Sequence, residues 1–169
     1  MRKIFLFPLA FLFCAVDCPR DYPRGVLTLT SIQVMNVDNS GADPFIVTES
    51  ATVPAKAYML GVRWYVNIDY EQSPHPSSSQ PVDSSYVFGS ALPAKYTCKI
   101  YTVGLFNADY PEGADVTQLF RKEGTYLPDS VNVGFLLFGS PDPGFHSFKV
   151  VYTGGDRPIE ATTPVVELE

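Results

Sequence analysis

Two short runs of this chain carry enough oxygen-bearing side chains to contribute to a cation site. Asp38, Asn39, Ser40 and Asp43 form one, and Asn107, Asp109, Glu112 and Asp115 the other. Calcium takes about six to eight oxygens, and such runs can supply some of them from side chains and carbonyls. Neither run has the spacing of a hand-type loop with its closing glutamate. Asp and Asn also make turns and cap helices, because they accept hydrogen bonds from nearby amides. Turn formation and capping explain both runs without a metal, and calcium is the sharper alternative, as a stabiliser of a loop and not as a catalyst.

Catalytic chemistry finds no convergent set. His75 and His146 have no Cys, His or carboxylate at ligand spacing and read as surface histidines. Ser140 stands between Gly139 and Pro141, outside any nucleophile elbow. The sequence calls for no enzyme activity, no cofactor and no metal. Four tyrosines suit binding: Tyr65 and Tyr101 fall off the buried phase of their strands, and Tyr110 and Tyr126 fall in loops. Such rings can stack on a sugar or a partner surface. Ordinary cross-strand pairing on a solvent face explains them as well.

Cysteine chemistry lies at the start. Arg2-Lys3 precedes an apolar run from Ile4 to Phe13, then Cys14 and Cys18. That is the pattern of a bacterial export signal, too short for a membrane-spanning helix. Cys18 follows Ala15-Val16-Asp17 and precedes a Pro-rich stretch, whereas Cys14 follows Phe11-Leu12-Phe13. Cys18 is the better lipidation site, although Asp17 is a poor residue to precede it. The chain thus divides into a signal peptide (1–17), a tether (18–24) and one domain (25–169), anchored by lipid in the outer membrane on its periplasmic or surface side. The alternative is a secreted soluble protein in which Cys18 and Cys98 form a disulfide or stay free.

Composition narrows the partners. The formal net charge is −6, and loss of Arg2, Lys3 and Asp17 makes it one unit more negative. Nucleic acid needs a basic face to neutralise phosphates, so it is excluded as a partner. Membrane contact is expected through the anchor alone. A domain of this length builds a hydrophobic core without staples.

The elements that position these residues read as strands. Ala57–Tyr70 alternates, with Tyr58, Leu60, Val62, Trp64, Val66, Ile68 and Tyr70 on one face. Val26–Met35 changes phase at Thr30-Ser31, which predicts a bulge or a switch between sheets. Asp38–Gly41 is a turn, and Glu71–Ser85, rich in Pro and Ser, an exposed loop. Further strands are expected at Tyr86–Phe88, Tyr96–Phe106, Val131–Phe138 (a buried middle strand), Phe145–Thr153 and Ile159–Leu168, where Pro164 indicates an edge. The one helical signal, Asp115–Phe120, predicts one or two turns. Seven or eight strands with almost no helix predict an all-β chain: a two-sheet antiparallel β-sandwich.

Several blocks resemble a family of uncharacterised, predicted lipoproteins from Bacteroides-type gut bacteria, a domain of unknown function. They are Asp17-Cys18-Pro19, Asn36–Gly41, Val53–Tyr58, Phe106–Val116 and Gly144–Val150. The resemblance spans nearly the whole mature chain, contains no catalytic motif, and implies an immunoglobulin-like sandwich on the cell envelope. The expected role is binding or adhesion toward a protein or glycan ligand. The competing role is a structural accessory of an envelope complex, docking through the Ile159–Leu168 edge.

Overall fold

The computed structural model describes residues 25–70, 94–124, 127–128 and 130–169. The described residues are mostly β-strand with almost no helix. The strands among the described residues are β1 (Gly25–Asp38), β2 (Phe45–Ile46), β3 (Thr52–Val53), β4 (Tyr58–Tyr70), β5 (Thr97–Thr102), β6 (Phe120–Glu123), β7 (Val133–Leu137), β8 (Gly144–His146), β9 (Phe148–Thr153), β10 (Ile159–Thr162) and β11 (Val166–Leu168). The expected loop 71–85 and strand 86–88 lie outside the described residues. The helical signal at Asp115–Phe120 yields a single 3₁₀ turn, Thr117–Leu119.

Among the described residues the strands pair into three sheets, β2-β1-β4-β7-β6, β10-β9-β5 and β3-β11-β8. All pairs are antiparallel except β3 with β11. The division between the last two has a local cause. Both expected strands near the C-terminus break and change sheet, 145–153 at Ser147 and 159–168 at Thr163-Pro164. At the break, side chains take over from the ladder. Ser147 Oγ donates to the Thr163 carbonyl at 2.8 Å, and Thr163 Oγ1 accepts from the Phe148 amide at 3.0 Å. Pro164 lacks an amide hydrogen and marks this break instead of an edge. Val166–Leu168 pairs on both sides, with β3 and β8, so the expected docking edge shrinks to Ile159–Thr162.

The alternation of β4 sets the core. Tyr58, Leu60, Val62, Trp64 and Val66 are buried together with Leu29, Ile32 and Val34 of β1, Ile100 of β5, and Phe148, Val150 and Tyr152 of β9. Burial of each large apolar side chain contributes about 1.5–3 kcal/mol before entropy is counted. The phase change in β1 is a bulge at Thr30, seen as a register shift between Leu29 and Ser31 against β4. It keeps Leu29 and Ile32 on the same side although their numbers differ in parity. The odd face of β4 is not all solvent. Met59 packs with Met35, Val37 and Val131 in a second buried cluster.

One buried polar chain crosses the main core. The Tyr58 hydroxyl donates to Asn36 Oδ1 at 2.8 Å, and Asn36 Nδ2 donates to the Pro164 carbonyl at 2.8 Å. Burial pushes the Tyr58 phenol far above its ordinary range. Among the described residues no buried side-chain nitrogen or oxygen lacks a partner.

The ladders give the molecule two ends. Gly25 pairs with Tyr70 at one, and Asp38 with Tyr58 at the other. The β5–β9 ladder follows the same direction, from Thr97 opposite Thr153 to Thr102 opposite Phe148. The Leu29 amide donates to the Tyr96 hydroxyl at 3.0 Å near the Gly25 end, and the Tyr58 and Phe148 rings lie 5.6 Å apart near the Asp38 end.

Candidate functional site

In the two oxygen-rich runs, Asp38, Asn107 and Asp115 are spent on turns and capping. Asp38 is buried, and its Oδ1 accepts from the Ser40 amide at 2.8 Å. The Asn39 amide donates to the Ala57 carbonyl at 3.0 Å, while Asp43 is exposed. In the second run, Asn107 Oδ1 accepts from the amides of Asp109 at 3.0 Å and Tyr110 at 3.1 Å, and its Nδ2 donates to the Ser140 carbonyl at 2.9 Å. Asp115 Oδ1 accepts from the Thr117 hydroxyl at 2.6 Å and amide at 3.1 Å, while Oδ2 pairs with Lys99 at 3.0 Å. The Thr117 hydrogen bonds first, and Lys99 second, hold the Asp115 carboxyl below its ordinary range. Gln118 Nε2 reaches back to the Asp115 carbonyl at 3.3 Å. Asp109 and Glu112 are exposed. Among the described residues no three metal-ligating side chains gather.

What the structure does assemble is a cleft of about 420 Å³ on the outer face of the β10-β9-β5 sheet, toward the Asp38 end. Tyr101 pairs with Lys149, and Lys149 with Thr162, so the three side chains form one row across the sheet. The loop after β5 closes one side with Val103, Glu112 and Gly113. Gly113 takes a φ of 76°, a left-handed conformation that costs glycine little. Its amide donates to the Thr102 carbonyl at 3.1 Å, which fixes the loop against the strand. Lys149 Nζ stands 5.8 Å from the centre of the Tyr101 ring and 4.0 Å from Glu160 Oε2, a loose ion pair. An aromatic face bordered by an ammonium and a carboxylate can stack on a ring and exchange hydrogen bonds with hydroxyls.

Other expected residues fall elsewhere. Tyr110 is half-buried, edge-on to Phe106 with ring centres 6.1 Å apart, and supports the loop. Tyr65 lies on the outer face of the five-stranded sheet, 41% exposed, its hydroxyl donating to Gln33 Oε1 at 3.2 Å. Tyr126 and Cys18 lie outside the described residues. Cys98 forms no disulfide among the described residues; its thiol is half-buried, and burial pushes it up to about 11.

The surface reading of His146 is corrected. Its ring is buried between Phe106, at 5.8 Å, and Phe148, at 6.5 Å, and Nε2 lies 2.7 Å from the Asp142 carbonyl. That distance places a proton on Nε2 as donor. The signal was in the phase: Phe148, Val150 and Tyr152 point inward on even numbers, and so does 146. By the same phase Phe145 points out, and it is 66% exposed. Phe138, expected in the core, is also exposed, with the Arg121 guanidinium 4.7 Å over its ring. Leu105 and Val103 are exposed too. Hydrogen bonds from Val103 N to Ser147 O at 3.0 Å and from Asp142 N to Phe106 O at 2.8 Å join the loop that carries Val103 and Leu105 to the segments on either side of β8, which carries Phe145. Apolar loops and the Tyr101 cleft therefore share the Asp38 end.

Among the described residues, no helix is long and apolar enough to cross a membrane. Compared with family models, with curated proteins and with solved structures, the chain matches none of them.

Proposed function

We propose that this is an exported cell-envelope protein, lipid-anchored at Cys18, whose immunoglobulin-like sandwich acts as a non-catalytic binding or adhesion module. The observation that carries the reading is the position of the Tyr101–Lys149–Glu112 cleft. It lies toward the Asp38 end with the exposed Val103, Leu105 and Phe145, opposite the end at which Gly25 starts β1. A tether preceding Gly25 would present that end outward. The sandwich reading draws support from the main core, which takes side chains from β1, β4 and β7 and from β5, β9 and β11. The ligand is a glycan or an envelope protein, and Tyr101 is the residue to stack on it.

A glycan array run beside a pull-down from envelope extracts tests the reading, with Tyr101→Ala as control. Tyr101 lies on a sheet's outer face, so its truncation is expected to leave the fold intact and to remove capture of sugar or protein at this cleft. Capture that survives Tyr101→Ala unchanged would move the site elsewhere. The second reading, an accessory docking by strand addition, is favoured by one observation: β10 is the edge of its sheet. Proline substitution at Glu160 should then abolish a stoichiometric protein complex and leave sugar binding alone.

A further inference from the structure

A larger cleft, about 480 Å³, lies on another part of the molecule, where β2 stops after Ile46 and leaves the edge of β1. Its apolar wall is made by Ile46, Val47 and Pro164, and its polar groups include Arg63, Gln33 and Glu49. Arg63 stands directly opposite Gln33 across the β1–β4 ladder. Its Nε donates to the Ser130 carbonyl at 2.7 Å, which fixes the plane of the half-buried guanidinium. The ion pairs among the described residues are Lys99–Asp115, Arg121–Glu123 and Lys149–Glu160, so Arg63 has no carboxylate partner there. Its terminal nitrogens make no hydrogen bond among the described residues either. The Gln33 carbonyl is occupied by the Tyr65 hydroxyl at 3.2 Å, which orients the amide and leaves its nitrogen as a donor.

We propose that this cleft binds a small carboxylate ligand with an apolar body. A planar guanidinium, held at Nε and without a partner at its terminal nitrogens among the described residues, matches the two oxygens of a carboxylate. The Gln33 amide adds a donor, and the Ile46, Val47 and Pro164 wall receives the apolar portion. A bound carboxylate would accept from the terminal nitrogens that the described residues leave without a partner. Glu49, on the rim of the same cleft, opposes the ligand's charge and sets the affinity low. This site is independent of the Tyr101 surface, on a different sheet.

The test titrates the purified full-length protein with benzoate, and in parallel with benzamide, its neutral isostere, following amide resonances by two-dimensional NMR. Benzoate is expected to shift Gln33–Asn36 and Ile46–Glu49, and benzamide to bind at least about tenfold more weakly. Arg63→Gln should abolish benzoate binding. Because that variant also loses the bond to Ser130, Glu49→Gln provides the second arm: it sits on an exposed residue, and it should tighten benzoate several-fold. Equal binding of benzoate and benzamide, shifts located elsewhere, no binding at all, or Glu49→Gln leaving the affinity unchanged would each overturn the proposal.

Discussion

Tyr58→Phe removes one oxygen from the centre of the protein, and its cost follows from what that oxygen holds. Tyr58 is fully buried, Asn36 is 1% exposed, and the hydroxyl is the donor to Asn36 Oδ1 at 2.8 Å. Without it, Asn36 keeps its bond to the Pro164 carbonyl but has a buried oxygen lacking this donor. Leaving one buried polar group unsatisfied costs about 1–3 kcal/mol, more than the net worth of an ordinary hydrogen bond. In a domain of this size each kcal/mol lowers Tm by about 2–4 °C. The chain has a single tryptophan, Trp64, buried with its indole N–H 3.3 Å from the Tyr152 hydroxyl, so urea unfolding followed by its fluorescence reads the core directly. Tyr58→Phe should shift the midpoint down with an unchanged slope. Asn36→Ala should cost more, because it strands both the Tyr58 hydroxyl and the Pro164 carbonyl. The double variant should fall short of the sum by more than about 0.5 kcal/mol, since the two side chains share one interaction. Additive effects, or a Tyr58→Phe protein as stable as its parent, would refute the network as a source of stability.

Two glycines should respond unequally to alanine. At Gly134 a Cβ would lie 2.5 Å from Met59 Sδ and 2.7 Å from Leu127 Cδ2, both ends of flexible side chains, so a loss of about 1 kcal/mol is expected in the same urea assay. At Gly154, with φ at 113°, the Cβ would run into the Lys95 carbonyl, a rigid backbone atom, and about 2–4 kcal/mol should be lost; equal losses would contradict the packing described here. Cys98 is predicted to resist alkylation at neutral pH and to react faster as pH climbs toward about 11, followed by mass spectrometry. The sign of the linkage is fixed: the folded thiol ionises later than the unfolded one, near 9.0, so its contribution to stability is complete below 9.0 and is lost as pH rises to about 11. Rapid labelling of Cys98 at pH 7 in the folded protein would contradict its burial.

The all-β class, the β4 alternation and the Thr30 bulge were legible because each is a local pattern: period two in Tyr58–Val66, and a parity change between Leu29 and Ile32. The third sheet was not legible. Phe145–Thr153 and Ile159–Leu168 each alternate plausibly as one strand, and only their joint break at Ser147 and Thr163 divides them. The second buried cluster escaped for a related reason. Met59 and Gly61 occupy the odd face that Arg63 and Asn67 suggested was wet, and the Gly61–Gly134 pair lets side chains settle closely on that face. At the site, the off-phase position of Tyr101 was readable, but its neighbours Lys149 and Glu112 come from a different strand and a different loop. Arg63 reads in the sequence as one more solvent-facing residue of an alternating strand, because its ladder partner Gln33 and its contact Ser130 lie far away along the chain.

The long β1–β4 ladder also has a mechanical meaning. Thirteen residue pairs, from Gly25 with Tyr70 to Asp38 with Tyr58, lie between the start of β1 and the end that carries the Tyr101 cleft. A pull on Gly25 against a load held at the far end would act along β1, parallel to the strand. Its cross-strand hydrogen bonds would then share the load in shear instead of opening one at a time like a zip.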